Sequence, residues 1–522
     1  MDKCKIVLLY NTIRYLRLKQ IFYRIYYIIR KPRLPERIDR KLKNDSRRLN
    51  FRFGIKNLKS YDNGVFTFLN IAHKFNKIDW NFSEHGKLWL YNLNYFDFLN
   101  QDSISNDEGL SLIKDYIENQ SKIKVGLEAY PTSLRIINWI KFISFHQICD
   151  KKIDSTLFKH LLLLNKNLEF HLLGNHLLEN AYALFLGAFY FDDQKILKKA
   201  ERLLQTQLDE QILSDGAHFE LSPMYHQVLL LRLLDCINFL KNNKNKNDSL
   251  LNYLIAKSAI MLSWLKKVTY KSGDIPKVND STFDIVVSSK DIFDYAKELD
   301  VKIQNFDLSD SYYRKWVINK FEIFMDIGRI GPNYIPGHGH ADTFNFELFY
   351  DEKPIIVDLG ISTYDKNSTR LLERSTESHN TVTIDGENSS EIWDSFRVAR
   401  RAKIIYLKEQ QNKIIATHDG YKRIGANHTR TFIKFDNFFV VEDHIKSNKN
   451  HKIESFLHFH PNCEVILKGK YIHVNSVILI KIFNTKSIKV EDYNYSLGFN
   501  KTKKAKKVRA LVENKSKIEI RI

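Results

Sequence analysis

Part-way along this chain the hydrophobic repeat changes. From about residue 85 to 300, apolar residues recur three and four apart, as in PTSLRIINWIKFISFHQI, HLLENAYALFLGAFYF, QKILKKAERLLQTQL and MYHQVLLLRLLDCINFL. That is the repeat of a helix with a buried face. Polar loops such as KNNKNKNDS separate these runs, and Pro131 suits the first turn of one helix, where its missing N–H is not needed. After about residue 315 short alternating segments take over, among them FEIFMDIGRI, FNFELFY, KPIIVDLG, NTVTIDG, RTFIKFDNFFVVEDHI and YIHVNSVILIKIF. Turn residues punctuate them at the spacing of an antiparallel sandwich. The spacing therefore predicts an α+β chain of more than one domain, a helical half followed by an all-β half. The join falls in the polar stretch 296–318. At 522 residues the chain is also long for a single core.

Lys and Arg outnumber Asp and Glu by 81 to 61, a formal charge of +20. Such an excess favours polyanionic partners: nucleic acid, anionic lipid or an acidic polysaccharide. The basic residues are dispersed and no aromatic–basic nucleic-acid module is visible, so nucleic acid is not expected. Cys4, Cys149, Cys236 and Cys463 lack CxxC spacing and make neither a zinc knot nor a disulfide framework. The N-terminal apolar run, Ile6 to Tyr10, is too short for the core of a secretory signal, and no stretch has the length of a membrane span. The expected place is bacterial, in the cytoplasm or at the periphery of the inner membrane, with the periplasm less favoured. Ile13, Leu16, Ile21, Ile25 and Ile28, interleaved with Arg14, Arg17, Lys19 and Arg24, suggest a basic amphipathic helix within residues 1–40. Residues 1–31 then either contact a membrane surface or dock on the protein's own domain.

Three clusters carry candidate chemistry. In FHLLGNHLLENAYAL, Gly174 and Asn175 look like a helix start, with Asn175 placed to cap free N–H groups. His176 and Glu179 are three apart and share a face, where Glu179 would orient the imidazole. In LSDGAHFELSPMYHQVLL, Ser222-Pro223 begins a helix and puts Tyr225 at its mouth. A phenol there would exchange protons with a substrate, its pKa lowered by cationic neighbours; Glu220 and His226 are less compelling. In GHGHADTFNFELFYDEKPIIVDLG, His338 and His340 point to one side if the segment is extended. His340, Asp358 and the later His379 make a two-histidine, one-carboxylate set that zinc would accept. His338 is left for acid/base work or substrate contact. Between them Arg370 and Arg374 offer fork-shaped donors suited to carboxylates.

No P-loop, dinucleotide fingerprint or nucleophile elbow occurs. Taken in order, LWLYNLNYFDFL, PTSLRIINWI, GNHLLENAYAL, DGAHFELSPMYHQ, GHGHADTFNFEL, VDLG and SHNTVTIDG resemble the heparinase II/III family of polysaccharide lyases, relatives of the oligoalginate lyases. The resemblance spans most of the chain. It implies an incomplete α/α toroid over residues 41–305, a β-sandwich over 306–522 and a cleft between them. It also implies a carbon–oxygen lyase that cleaves a uronic-acid-containing, acidic polysaccharide by β-elimination, in keeping with capsule or exopolysaccharide metabolism.

Matched by position, Asn175 and His176 would neutralise the uronate carboxylate, with Glu179 in support. Tyr225 would be the acid, and the base where removal is from the same side, and His338 the alternative base or a substrate ligand. His340, Asp358 and His379 would hold one structural zinc, and Arg370 and Arg374 would touch substrate. Two other readings stand beside this one. A uronate C5-epimerase would use the same proton abstraction with Tyr225 and His338 on opposite faces of the sugar. A non-catalytic glycan-binding assembly protein would keep the basic surface without turnover.

Overall fold

The computed structural model describes residues 3–30, 33–36, 49–51, 54–243 and 247–521. Two short helices open the chain, α1 (Lys3–Ile13) and α2 (Leu18–Ile29). A three-stranded antiparallel sheet over residues 61–74, which the helical repeat did not announce, follows them. Then come α3 (Gly86–Tyr95), α4 (Asn106–Asn119), α5 (Ala129–Phe145), α6 (Lys151–Lys166), α7 (Gly174–Tyr190), α8 (Gln194–Gln211), α9 (Pro223–Asn242), α10 (Asp248–Val268) and α11 (Ser289–Glu298).

These helices form two layers, and composition decides which layer each joins. The α7 sequence GNHLLENAYALFLGAFY is apolar nearly all round, and α5, α7 and α9 are buried along almost their whole length and pack side by side. The α8 sequence QKILKKAERLLQTQLDEQ buries Ile196, Ala200, Leu204 and Leu208 on one stripe and gives its charges to water. It packs on α7 from outside, as α10 does on α9. Paired inner and outer helices of this kind are an incomplete α/α toroid.

The β half begins at Tyr313. A four-stranded antiparallel sheet takes its strands in sequence order (313–318, 321–326, 346–350, 353–356). It faces a larger antiparallel sheet built around the long pair Ile478–Gly498 and Lys501–Arg521. Phe321, Ile323 and Met325 from the first sheet meet Phe432, Phe439, Val441 and Ile518 from the second in one apolar core. That is the expected sandwich, but its four-stranded sheet is covered on both faces, because Phe324 and Phe349 on the outer side pack into the toroid core.

The N-terminal segment is a pair of helices broken at residues 14–17 rather than one helix. It docks across both halves. Gln20 Nε2 donates to the carbonyls of Leu172 and Tyr334 at 3.2 and 3.3 Å, and the Tyr27 hydroxyl donates to Leu168 O at 2.6 Å. On the sandwich side Trp393 Nε1 donates to Thr12 Oγ1 at 3.0 Å. Among the described residues no helix is long and apolar enough to cross a membrane.

Candidate active site

A cleft of about 1290 Å³ opens between toroid and sandwich, lined by Asn175, His176, Tyr225, Arg232, His338 and Tyr364 among others. Its toroid wall starts at α7. Leu173 (φ 67°) and Gly174 (φ 57°) are both left-handed and turn the chain sharply into the helix. A Cβ on Gly174 would lie 2.3 Å from Glu220 Oε1, so only glycine admits that carboxylate here. Glu220 accepts from Asn175 N and from Asn175 Nδ2, both at 2.8 Å. The cap of α7 is therefore Glu220, and Asn175, expected to cap, is instead held by it with its amide beside the cleft. Glu220, passed over in the sequence, is what positions Asn175.

His176 lies on the same turn but is not oriented by Glu179. Its Nδ1 meets Glu169 Oε1 at 3.0 Å, while Glu179 hydrogen-bonds nothing and lies 3.7 Å from Arg232 Nε. Burial lowers the His176 pKa, but Glu169, Glu220 and Glu179 outweigh it, and the net shift is upward. Burial raises Glu179 to about 7 against the opposing pull of Arg232. Arg232 Nε and Nη1 lack hydrogen-bond acceptors, and the side chain lines the cleft. It stands seven residues after Tyr225 on α9, two turns along one face, a spacing legible in MYHQVLLLR.

Tyr225 enters as Ser222-Pro223 predicts: Ser222 caps α9, its Oγ accepting from Tyr225 N at 3.2 Å. The phenol pKa is raised rather than lowered. Burial leads, Asp280 and Glu220 add to it, and the hydrogen bond to Tyr364 with the Arg370 charge offsets only part. The Tyr225 and Tyr364 hydroxyls are 3.2 Å apart, and the Tyr225 ring lies 4.1 Å from that of His338.

On the sandwich side His338 and His340 share an anchor that sequence reasoning missed, Asp280. His338 Nδ1 meets Asp280 Oδ2 at 2.7 Å and His340 Nε2 meets Oδ1 at 2.9 Å. Arg370 closes the same carboxylate with Nη1 and Nη2 at 2.5 and 2.7 Å. These donors drive the Asp280 carboxyl well below the usual range despite its burial. With Nδ1 facing a carboxylate, His338 keeps its proton there and presents Nε2, 3.3 Å from Asn175 Nδ2.

The two arginines are not free for substrate. Arg370 is spent on Asp280 and on Ser395 O, and Arg374 donates to the carbonyls of Gly339, Asp394 and Ser395. Both are fully buried, because a guanidinium fork that fits a carboxylate also fits paired backbone carbonyls.

The expected metal set is also modified. Asp342, Asp358 and His379 gather one ligand atom each within 4.8 Å of one another; His340 is not in that group. His379 Nδ1 meets Asp358 Oδ2 at 2.7 Å, which leaves Nε2 without a partner. Asp342 Oδ2 and His340 Nδ1 are likewise buried and unpartnered, and the His340 and His379 rings are 5.4 Å apart. Burial and the Asp358 charge raise Asp342 to about 7, with His379 opposing. Imidazole nitrogens and carboxylate oxygens left unpaired in a dry interior fit a divalent cation.

Two family models match the chain: heparinase II/III N-terminus over residues 136–299, and heparinase II/III-like, C-terminal over residues 303–522. Among solved structures, a heparinase III is similar with a TM-score of 0.71 at 15% identity, covering 96% of this chain and 88% of that one. A mutant heparan sulfate lyase HepC from Pedobacter heparinus has a TM-score of 0.60 at 16% identity, covering 96% and 87%. Another heparinase III gene product gives 0.61 at 16%, covering 86% and 81%. At such identities the likeness is one of fold. A comparison with curated proteins gave no match.

Proposed function

The chain belongs to the heparinase II/III family, and from that premise we propose that it is a polysaccharide lyase cleaving an acidic, uronic-acid-containing glycan by β-elimination. The observation that carries this reading is the meeting of Asn175, His176, Tyr225 and His338 in one cleft built from both halves.

The C5 proton of a uronate is weakly acidic, so the neighbouring carboxylate has to be neutralised as charge moves onto it. Preorganised donors aimed at developing charge supply most of such stabilisation. His176, inclined to keep its proton, supplies it, the Arg232 N–H groups that lack acceptors add to it, and Asn175 joins them when substrate displaces its 3.3 Å contact with His338 Nε2. His338 Nε2 takes the C5 proton, since Asp280 fixes the other nitrogen as the protonated one. The C4–O bond then breaks, C4=C5 forms, and the departing oxygen takes the Tyr225 proton. A phenol whose pKa is pushed up remains protonated and serves as the acid.

The epimerase reading asks for Tyr225 and His338 on opposite faces of the sugar. Their rings stand side by side at 4.1 Å, which favours elimination. The cation that fits Asp342, Asp358 and His379, with His340 beside them, is zinc by its donors. It would tie loops behind the catalytic wall, a structural role. A substrate in capsule or exopolysaccharide metabolism agrees with the basic surface.

The test is incubation in heavy water with a panel of uronate polysaccharides, reading ultraviolet absorbance of unsaturated uronate and deuterium at C5 of intact chains. Rising absorbance with shorter chains is expected. Tyr225→Phe should lower turnover at least about 100-fold, the range of a lost general acid. Full turnover in that variant on a verified substrate would remove Tyr225 from the mechanism. Deuterium without cleavage would make the enzyme an epimerase.

A further inference from the structure

The N-terminal helix pair wears its apolar side outward. On α2, Leu18, Phe22, Ile25 and Ile29 follow at i, i+4, i+7 and i+11 and form one stripe. Leu18 is 85%, Phe22 60% and Ile29 81% exposed. The opposite face carries Gln20 and Tyr27, which make the docking hydrogen bonds to the two domains. On α1 the residues Ile6, Tyr10 and Ile13 make a second exposed stripe, while Asn11 and Thr12 turn inward. A surface helix held to its protein by the hydrophobic effect turns the other way, stripe inward.

The flanks of these stripes are basic. Lys5, Arg14, Arg17, Lys19, Arg24 and Arg30 lie between residues 5 and 30, with no Asp or Glu among them. Arg17 is shared with Glu210 and Lys19 stacks on Phe170, contacts that fix the pair on the toroid and keep the cations at its edge.

We propose that the outer face of the α1–α2 pair is a docking surface for an anionic lipid bilayer. Its apolar stripes enter the headgroup–acyl boundary and the flanking cations meet lipid phosphates. An acidic glycan would satisfy the cations but offers nothing to the Leu, Phe and Ile side chains. A second copy would cover the stripes but would bring two sets of cations together. The bilayer alone matches both. The inner side of the same pair, through Leu16, Gln20 and Ile21, lines the cleft, and Ile13, Arg24 and Ile25 at the stripe edges reach its rim. A docked membrane therefore lies about one helix diameter, on the order of 10 Å, from the space where glycan would bind. This surface stands independently of the lyase reading.

Whole protein is sedimented with phosphatidylcholine vesicles, with and without phosphatidylglycerol, at low and high salt. Binding is expected to phosphatidylglycerol-containing vesicles, weakening as salt rises and roughly tenfold or more weaker on phosphatidylcholine alone. L18S/F22S/I29S alters no cleft-lining residue and should reduce vesicle binding roughly tenfold or more while turnover on soluble substrate is kept. R14Q/R30Q, a milder pair, should narrow the preference for phosphatidylglycerol. Tyr225→Phe, inactive by the mechanism above, should bind vesicles like the parent, so the two proposals fail separately. No binding by the parent protein overturns the surface, as does equal binding by the triple variant. A parent dimer that the triple variant turns into monomer assigns the face to a second copy and overturns it too. Retention on an immobilised anionic polysaccharide without vesicle binding does the same.

Discussion

Two buried polar clusters meet at His340 and are finished differently. Around Asp280 both carboxylate oxygens are taken twice, by His338, His340 and Arg370, and Arg370 gives its Nε–H to Ser395 O. Around Asp358 the accounts stay open: His340 Nδ1, Asp342 Oδ2 and His379 Nε2 are buried without hydrogen bonds. A closed network holds its members rigidly at no outstanding desolvation cost, whereas each open group carries about 1–3 kcal/mol. The first cluster is a strut that aims His338 at the cleft. The second has the chemistry of a site that a cation completes. One histidine, Nε2 in the strut and Nδ1 in the open cluster, couples them.

Breaking the strut should have the largest effect. Asp280→Ala leaves the Arg370 guanidinium buried without its counter-ion, a loss of about 3–5 kcal/mol. The thermal midpoint should fall sharply, and Asp280→Asn, which keeps the shape, should fall less. A midpoint within error of the parent in Asp280→Ala would mean that the network is not a strut. Second in size is the open cluster. Elemental analysis of untreated protein should find zinc. A chelator should lower the midpoint by an amount matching about 2.7 kcal/mol when free metal stood roughly a hundredfold above its Kd. Asp342→Asn and His379→Ala should lose both the metal and the chelator response. If Asp342→Asn keeps full metal and His340→Ala loses it, the ligand set is the one expected from sequence, with Asp342 outside it.

How legible each cluster was depends on the range of its contacts. The repeat change at residues 296–318 and the Ser222-Pro223 helix start are local signals, and the helices, the sandwich and the place of Tyr225 could be read from them. Arg232 was within reach by the same logic, at the i+7 spacing from Tyr225. Asp280 was not. It lies in the loop VNDSTFD with no periodicity of its own, and its role arises only where residues 280, 338 and 370 meet across the chain. Glu169 escaped because the helical i, i+3 rule pointed to Glu179. The left-handed turn at Leu173 and Gly174 folds the preceding segment back onto His176 instead. Arg370 and Arg374 were misread because a sequence does not say whether a guanidinium is buried.

The Glu169–His176 pair falls between the two clusters, one ring nitrogen held by a carboxylate and the ring half-open to the cleft. Its effect should be the smallest, and it has a sign. The His176 pKa is raised in the folded protein, so its contribution to stability is fully present below the unfolded value of about 6.5 and is lost as pH rises through the higher folded value. Glu169 is depressed, mainly by His176, against burial that acts the other way. Its share is present above the unfolded carboxylate value of about 4.3 and is lost as pH falls through the folded one. The pair therefore contributes most between those ranges, and Glu169→Gln should cost about 1 kcal/mol near pH 6, less at pH 9. The same substitution should move the alkaline limb of turnover to lower pH, because His176 gives up its proton earlier and the uronate carboxylate loses its neutralising cation. A merely structural Glu169 would lower stability and leave that limb where it is. An unmoved limb would put the cation at Arg232 rather than at His176, and the toroid wall would then work by a fixed charge instead of a titrating one.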